Sequence, residues 1–459
     1  MVVNNLLLPK ELHLAQAGLT DLPNDWSVVE VGELLSPDRG ISVGVMYPGK
    51  HDPLGIPLLK VGDLTRSVIN PNPEFRITPE KHYEYRRTAL EGGEILLTLV
   101  GGLGQCAIVP PQMAGWNAAR AIAVIRLKEP SDAKFVRLCF LSPPLQHLMQ
   151  VWANTTVQAT LNLKEIKQLP LPFPPPAERE AIAHILGTLD DKIELNREMN
   201  QTLEAIARAI FKSWFVDFDP VRAKMEGRQP AGMDAATAEL FPSEFEESAL
   251  GIIPKGWRVD SFDKIVHILS GGTPKTSVSE YWNGNILWFS VKDAPNKSDV
   301  FVIDTEKRIT QLGVDKSAAQ ILPKGTTIIT ARGTVVKLAL IGVEMAMNQS
   351  CFGIKGKNSY TDLFIYYHLS SVITELQHKT HGSVFDTINR QTFTSVKAVI
   401  PPKEIAQAFD KLVKPLMDKL LVNLFESRTL ASIRDTLLPK LLSGEIRVKE
   451  AEKVIEALT

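Results

Sequence analysis

The chain reads Pro176-Ala-Glu-Arg-Glu-Ala-Ile-Ala-His-Ile-Leu-Gly-Thr-Leu-Asp-Asp-Lys-Ile-Glu-Leu-Asn196, and the same breaker-poor pattern continues to about Phe215. Apolar residues in this stretch alternate at spacings of four and three, which predicts a helix with a heptad seam. A helix of roughly 40 residues would be about 60 Å long at ~1.5 Å per residue. The seam residues are Ile182, Leu186, Leu189, Ile193, the central polar pair Asn196 and Asn200, then Leu203, Ala207, Ile210 and Trp214.

The same pattern occurs again near the end of the chain. Arg434 replaces Ala207 there, and Pro415 is expected to kink the helix. The second seam consists of Phe409, Val413, Leu416, Leu420, the central Asn423 and Ser427, then Leu430, Arg434, Leu437 and Leu441. Two such seams in one chain predict an intramolecular coiled coil. The polar centres align in parallel and in antiparallel pairing, so the pattern leaves the orientation open. Antiparallel pairing would put one globular domain at each end.

The helices belong to a larger internal duplication. Leu22-Pro-Asn-Asp-Trp26 matches Ile253-Pro-Lys-Gly-Trp257, and Gly93-Glu-Ile-Leu-Leu-Thr98 matches Gly325-Thr-Thr-Ile-Ile-Thr330, at offsets of 231 and 232. Short apolar runs separated by turn residues precede each helix and predict a strand-rich domain. We therefore predict a mixed α/β (α+β) fold built from two repeats. The predicted segments are an N-terminal extension (1–20), a first globular domain (21–172), a first helix (173–218), a polar linker (219–250), a second globular domain (251–399), a second helix (400–443) and a tail (444–459).

Composition limits the possible classes of function. The 459 residues carry 51 Lys and Arg against 52 Asp and Glu, which excludes a uniformly basic nucleic-acid coat. Residues 255–357 carry 14 Lys and Arg against 9 Asp and Glu, so this domain is locally positive and suited to phosphate contacts. Cys106, Cys139 and Cys351 have no metal-ligand spacing and fit a reducing, cytosolic compartment. We expect neither a transmembrane helix nor a signal peptide.

Several motifs resemble those of the specificity subunit of type I restriction–modification systems. Ile185-Leu-Gly-Thr-Leu-Asp-Asp-Lys-Ile-Glu-Leu-Asn196, followed by Phe211-Lys-Ser-Trp-Phe-Val-Asp-Phe-Asp-Pro220, resembles the central region of that family. Leu437-Leu-Pro-Lys-Leu-Leu-Ser-Gly-Glu-Ile446 is similar to its second shared region. Gly271-Gly-Thr-Pro274, with Trp282-Asn-Gly-Asn-Ile286, is similar to its target-recognition domains. The first domain departs from this pattern, with Ser36-Pro-Asp-Arg-Gly40 at the corresponding place.

The resemblance implies a non-catalytic, cytoplasmic chain that serves phage defence by recognising double-stranded DNA. Two target-recognition domains would each read one half of a split site, and an antiparallel helix pair would hold them at a fixed separation. Two methyltransferase (M) subunits would dock on the helices, and translocating restriction (R) subunits would join them. The chain itself would bind no metal or cofactor, because S-adenosylmethionine, ATP and Mg would belong to the partner subunits.

Side chains that can read bases should lie on loops of the two globular domains. Arg pairs with guanine, Asn or Gln pairs with adenine, and Lys neutralises phosphate. The DNA-binding candidates are Lys60, Arg66, Gln105 and Asn117 in the first domain, and Thr273, Lys275, Lys292, Arg332 and Asn348 in the second. The first set is expected to correspond roughly to the second. Trp288 is expected in the core, whereas Trp214 is equally suited to the core and to a docking surface.

Two other classes of function stay open at this point. A fused methyltransferase or nuclease would need a cofactor loop or an acidic metal cluster. Gly101-Gly-Leu-Gly104 is better explained as a hairpin turn, and Glu165-Ile-Lys167 matches a nuclease tripeptide that is common by chance. A coiled-coil scaffold that binds protein and no DNA is the other alternative, and salt-dependent binding to duplex DNA would distinguish it.

Overall fold

A computed structural model of the chain describes residues 19, 21–65, 68–155, 159–295, 299–331, 336–379, 388 and 390–458. The chain divides into two compact units. Unit 1 comprises Met1–Glu194 with Arg428–Thr459, and unit 2 comprises Leu195–Ser427. Each of the two long helices therefore contributes one half to each unit.

Unit 1 combines short strands with helices. Its strands are β1 (Ser27–Glu30), β2 (Ile41–Val43), β3 (Ile56–Leu59), β4 (Arg76–Ile77), β5 (Ile95–Thr98), β6 (Cys106–Ile108), β7 (Asn117–Ala118), β8 (Ile122–Ile125), β9 (Asn154–Thr155), β10 (Ala159–Thr160) and β11 (Pro170–Phe173). Its own helices are α1 (Val31–Leu34), α2 (Pro79–Glu84), α3 (Ala133–Leu141), α4 (Pro143–Trp152), α5 (Leu163–Gln168) and, at the end of the chain, α13 (Val448–Leu458). The first long helix is α6 (Pro176–Phe215).

Unit 2 is built from the same kinds of element. Its helices are α7 (Asp219–Met225), α8 (Ala235–Glu239), α9 (Gln311–Asp315), α10 (Asp362–Lys379) and α11 (Arg390–Ser395). Its strands are β12 (Phe245–Ser248), β13 (Gly251–Pro254), β14 (Arg258–Ser261), β15 (Val266–Ser270), β16 (Trp282–Phe289), β17 (Phe301–Val302), β18 (Lys307–Ile309), β19 (Thr327–Thr330), β20 (Leu338–Ile341), β21 (Ala346–Met347), β22 (Cys351–Gly356) and β23 (Lys397–Ile400). The second long helix is α12 (Lys403–Ser443).

The sheets of the two units have the same topology, which confirms the predicted duplication. In unit 1 a four-stranded sheet has the order β2-β8-β5-β6, and a small sheet has the order β4-β3-β7 with β3 and β7 parallel. In unit 2 the corresponding orders are β15-β22-β19-β20, extended by β17, and β18-β16-β21 with β16 and β21 parallel. Antiparallel β1–β11 and β14–β23 pairs join the beginning and end of each domain.

The two long helices pair in antiparallel fashion, which resolves the orientation that the sequence left open. In unit 1, Asp190 of α6 contacts Arg434 of α12. In unit 2, Asn200 of α6 contacts Asn423 of α12. Partner numbers fall along α12 as they rise along α6, as in an antiparallel coiled coil. The predicted kink does not interrupt α12, which continues through the exposed Pro415.

The segment predicted as a polar linker is instead folded onto unit 2. It contains α7, α8 and β12, and β12 pairs with β13 just beyond the segment. Phe218, Val221 and Phe241 are buried in the same core as Trp257, and the rings of Phe218 and Trp257 lie 5.5 Å apart in a T-shaped contact. The prediction weighed the charged residues of this segment and neglected its two apolar anchors, Val221 and Phe241.

Candidate nucleic-acid interface

Each repeat has a short parallel strand pair whose first strand ends in a capped single-turn helix. After β3, the backbone N–H of Lys60 donates to the carboxylate of Asp63 at 2.9 Å. After β16, the N–H of Ser290 donates to the carboxylate of Asp293 at 2.7 Å. In each repeat the aspartate cap directs the backbone out of the small sheet in the same way. Lys60 therefore stands where the second repeat has Ser290.

Two candidate cations lie at these turns, on the surface of their domains. Lys60 is exposed, and its Nζ lies 3.9 Å from the centroid of the Phe75 ring, a cation–π contact. The Lys292 side chain is 80% exposed and lies 3.9 Å from the Glu306 carboxylate. Such exposed contacts are weak, so a phosphate could compete for either ammonium group.

The second repeat brings the loop after β15 against the end of β21. Gly272 N–H donates to the Met347 carbonyl at 3.0 Å, and the Thr273 hydroxyl hydrogen-bonds the side-chain oxygen of Gln349. Asn348 is half-buried, and its Oδ1 accepts from a backbone N–H at 3.0 Å. Two predicted residues, Thr273 and Asn348, thus belong to one surface, together with the exposed Gln349, which the sequence prediction missed.

Two tryptophans position this loop. The indole N–H of Trp288 donates to the Gly272 carbonyl at 3.0 Å, and that of Trp282 donates to the Lys275 carbonyl at 3.2 Å. The rings meet in a T-shaped contact at 5.1 Å. Trp288 is buried, as expected, and exposed Lys275 is presented by a loop whose backbone is held by the tryptophan side chains.

The structure contradicts the prediction that Asn117 contacts bases. Asn117 lies in the parallel pair of β7 with β3 and is fully buried. Its Oδ1 lies 2.7 Å from Nδ1 of His82. Because strand pairing and this side-chain contact enclose the amide, Asn117 contributes to the interior of the small sheet.

A difference of two positions explains the error. Asn117 and Ala346 occupy the same place in their parallel strand pairs. Asn348 lies two residues beyond Ala346, where strand pairing has ended. The first repeat places Arg120, which is exposed, at the position of Gln349. Aligning the two strands by their apolar pattern would have identified Arg120 as the candidate.

The remaining candidates fall into two groups. Gln105 is half-buried, and its backbone N–H donates to the Thr98 hydroxyl at 2.9 Å, just as the N–H of Lys337 donates to Thr330 at the same distance. This capped hairpin leaves only part of the Gln105 side chain accessible. Two further candidates, Arg66 and Arg332, lie outside the residues that the structure describes.

Arg390 is a further exposed cation near the loop of the second repeat. Its Nη2 donates to the Ser270 hydroxyl at 3.1 Å and to the Ile268 carbonyl at 3.3 Å. Arg390 lies about 120 positions from this loop in the chain, so only the folded structure brings them together. No sequence signal beyond its charge would have identified it.

The helix pair buries most of the predicted seam. Its members lie in the cores of the two units, and the polar centre is retained between the helices. The buried seam residues are Ile182, Leu186, Leu189, Leu430, Leu437 and Leu441 in unit 1, and Ala207, Phe409, Val413, Leu420 and Asn423 in unit 2. Ile193, Asn200, Leu203, Ile210 and Leu416 are partly buried, and Asn196 is buried. Trp214 is buried among aromatic rings and therefore belongs to the core and not to a docking surface.

A buried ion cluster joins the helices to the globular part of unit 1. The Asp190 carboxylate accepts from Arg137 of α3 and from Arg434 of α12, both at 2.8 Å. Burial raises the pKa of Asp190, but the two guanidinium groups outweigh it and the pKa is lowered. In the second repeat the corresponding positions hold Tyr366, Met417 and Ala207, so this cluster distinguishes the two ends of the helix pair.

A family model described as the type I restriction modification DNA specificity domain matches residues 23–205 and 254–424, which is most of both repeats. The chain belongs to the family of type I specificity subunits. Recognition of DNA is therefore its function, and it is the non-catalytic subunit of such a system. Its partners are DNA and the other subunits of the complex.

Related specificity subunits support this assignment along the whole chain. The HindI specificity subunit of Haemophilus influenzae is 30% identical over 62% of this chain and 71% of its own length. The MjaIX specificity subunit of Methanocaldococcus jannaschii is 24% identical over 96% of this chain and 98% of its own. The S subunit of M. genitalium shares the fold, with a TM-score of 0.54 at 16% identity over 92% of this chain and 97% of that one.

The residues considered for catalysis have structural roles in this specificity subunit. Gly101 to Gly104 form the turn of the antiparallel β5–β6 hairpin, as predicted. Glu165 caps α5 by accepting from the N–H of Asn162 at 2.9 Å. His368, which the sequence analysis did not single out, is also a core residue: burial lowers its pKa to about 4, and its ring stacks on Phe262. Among the described residues there is no cluster suited to a metal ion and no helix long and apolar enough to cross a membrane.

Proposed function

We propose that this subunit recognises one asymmetric, bipartite DNA site, with one half-site read by each repeat. The proposal rests on one observation. The two repeats have the same backbone arrangement at these turns but carry different surface side chains. Lys60 replaces Ser290 at the aspartate-capped turn, and Arg120 replaces Gln349 beside the small sheet. Because the backbone arrangement is the same, the two domains should contact half-sites of similar length. Because their surface side chains differ, they should recognise different base sequences.

The paired helices would set the spacing between the half-sites. A 40-residue helix is about 60 Å long at ~1.5 Å per residue, which limits the half-site centres to roughly 18 base pairs apart. When a stiff connection joins two recognition domains of low affinity, binding of the second domain becomes intramolecular. Two half-sites at the correct spacing are therefore bound far more tightly than either half-site alone.

The proposed DNA-contacting surface combines residues predicted from the sequence with residues that the structure identifies. Described candidates that remain accessible are Lys60, Gln105, Thr273, Lys275, Lys292 and Asn348, joined by Arg120, Gln349 and Arg390. The cationic members would neutralise phosphates, and the amides would read base edges. Arg66 and Arg332 remain candidates from the sequence.

The proposal assigns catalysis to subunits that dock on the helix pair. Two methyltransferase (M) subunits would use the two related ends, and restriction (R) subunits would join them, so that S-adenosylmethionine, ATP and Mg act in those chains. Four apolar side chains on the two helices within unit 2 are more than 40% exposed and suit such docking: Leu195, Ile206, Leu412 and Val422. Action on cellular DNA would place the complex in the cytoplasm.

Exchange of one recognition domain tests the bipartite reading. Residues 21–172 are replaced by the corresponding domain of a related specificity subunit, and methylated adenines are mapped in cells that carry the partner subunits. One half of the site should change while the other half and the spacer persist. A change in both halves, or in neither, would contradict the proposal.

A methyl-transfer assay separates this proposal from a fused enzyme. The purified chain is incubated with labelled S-adenosylmethionine and duplex DNA in the absence of partner subunits. We expect no transfer, whereas addition of the methyltransferase subunits should restore it. Transfer by the chain alone would contradict the assignment of catalysis to its partners.

A further inference from the structure

Each recognition domain has a loop that leaves its large sheet at the same place. After β2, the backbone N–H of Val45 donates to the carbonyl of Ala118 at 2.7 Å, and after β15 the N–H of Gly272 donates to that of Met347 at 3.0 Å. Ala118 and Met347 occupy the same place in the two parallel strand pairs. Val45 and Gly272 are therefore equivalent, and we call this position the exit point of the loop.

The residue before each exit point gives the same alignment. A Cβ on Gly44 would lie 2.0 and 2.7 Å from the carbonyl oxygens of residues 118–119, and a Cβ on Gly271 would lie 2.7 and 1.9 Å from those of residues 347–348. In each domain the backbone thus crosses two equivalent carbonyl groups at a distance that only glycine permits. The first residue of each loop can therefore be compared directly.

The side chains just beyond the exit point differ between the two domains. Met46 stands where the second domain has Thr273, and it is followed by Tyr47, whereas Thr273 is followed by Pro274. Tyr47 is 69% exposed and Met46 is 38% exposed, but Pro274 is buried. The first domain therefore presents a large aromatic side chain to solvent where the second presents the hydroxyl of Thr273.

Basic side chains lie at both ends of this loop in the first domain. The backbone N–H of Arg120 donates to the carbonyl of Val45 at 3.0 Å, so the exposed Arg120 lies beside the start of the loop. Towards the other end, Lys50 is exposed, and a Cβ on Gly49 would lie 4.0 Å from Cε of Lys81. Positive charge on both sides of the exposed ring suits contact with duplex DNA, because cations bind the phosphates that flank a base contact.

We propose that Tyr47 contacts a base of the first half-site and determines specificity there, an inference that rests on the bipartite recognition proposed above. The apolar ring of Tyr47 fits the C5-methyl group of thymine in the major groove. The second domain carries the hydrogen-bonded Thr273 and Gln349 beside its exit point, and polar groups of this kind read donors and acceptors on base edges. The same backbone arrangement thus carries an apolar contact in one domain and a polar contact in the other, as recognition of an asymmetric site requires.

Substitution of Tyr47, in the complete complex with its methyltransferase subunits, tests this assignment. For Tyr47→Ser, we expect relaxed base preference at one position of the first half-site and roughly 5- to 100-fold weaker binding to the cognate duplex. The second half-site and the spacer should persist. Tyr47→Phe, which has the ring but no hydroxyl, should restore the base preference that Tyr47→Ser loses. Mapping of methylated adenines and titration of a cognate duplex provide the two readouts.

Val151→Ser is the control, since Val151 of α4 is another exposed apolar residue of the first domain, with 41% of its surface accessible. It should leave the site and the affinity unchanged, and thermal unfolding should be the same for all variants. An unaltered site with unaltered affinity in Tyr47→Ser would overturn the proposal, as would equal loss at every site without altered base preference. Loss of base preference in Tyr47→Phe would overturn the ring contact. Failure of bipartite recognition itself would be visible separately, because the unsubstituted complex would then lack a two-part site.

Discussion

Asn423 of α12 donates a hydrogen bond from Nδ2 to Oδ1 of Asn200 of α6 at 3.0 Å, at the polar centre of the seam. Asn423 is fully buried, and Nδ2 of Asn200 donates in turn to the Leu420 carbonyl at 3.2 Å. A shifted register would place these amides against apolar residues without partners, which is costly. The pair therefore specifies how the two helices align.

A double-mutant cycle at this pair should show strong coupling. Asn200→Leu removes the amide partner of the buried Asn423, whose Nδ2 then keeps only its contact with Sδ of Met199. We expect a loss of about 1–3 kcal/mol in the free energy of unfolding. The double variant Asn200→Leu/Asn423→Leu should recover most of this loss, because two leucines pack in the seam. Urea unfolding provides the measurement. Additive losses in the double variant would contradict the assigned role.

The Asp190 cluster predicts a larger effect in unit 1. Asp190→Ala removes the carboxylate shared by Arg137 and Arg434 and leaves two buried guanidinium groups. We expect a loss of about 3–5 kcal/mol, since removing the shared carboxylate weakens the compensation of two buried charges, although Arg434 keeps its contact with Asp435. Replacing all three residues by their counterparts in the second repeat (Arg137→Tyr, Asp190→Met, Arg434→Ala) should cost much less. An equal loss in both variants would show that charge compensation is unimportant.

Acid stability follows from the same cluster. The pKa of Asp190 is lowered in the folded chain because its two arginine partners outweigh burial. Its contribution is therefore present above the unfolded pKa, near 4, and is lost as the pH falls through the folded pKa. Unfolding free energies measured from pH 7 to pH 3 should fall less steeply for the triple replacement than for the unsubstituted chain. Identical slopes would contradict this assignment.

Salt dependence tests DNA binding independently of methylation. Lys60→Ala and Lys275→Ala should each reduce the slope of log K against log salt by about 0.9 if each side chain neutralises one phosphate. Lys255→Ala is a suitable control, because Lys255 follows β13 and belongs to none of the loops that carry the candidate residues. A slope that neither Lys60→Ala nor Lys275→Ala changes, in the complete complex, would contradict the assignment of phosphate contacts to these two side chains.

The helices and the duplication could be predicted from the sequence because both are periodic signals. The polar centre does not specify the orientation of the two helices, but the positions of the charged residues along them do. Only antiparallel pairing brings Arg434 opposite the turn that carries Asp190, whereas parallel pairing aligns Arg434 with Ala207. The candidate interface was harder to predict, because surface loops lack periodicity. The prediction of Asn117 failed because this residue lies two positions before the point in the strand that corresponds to Asn348. Arg390 could not be predicted because only folding brings it to its loop.

A matched deletion in both helices tests the central claim that the helix pair sets the distance between two half-sites. Removing residues 193–199 and 424–430 takes one heptad from each helix and preserves the alignment of the remaining seam. The helix pair then shortens by roughly 10 Å, so the spacer in the mapped methylation site should shorten by about three base pairs while both half-sites persist. An unchanged spacer with both half-sites intact would contradict the account.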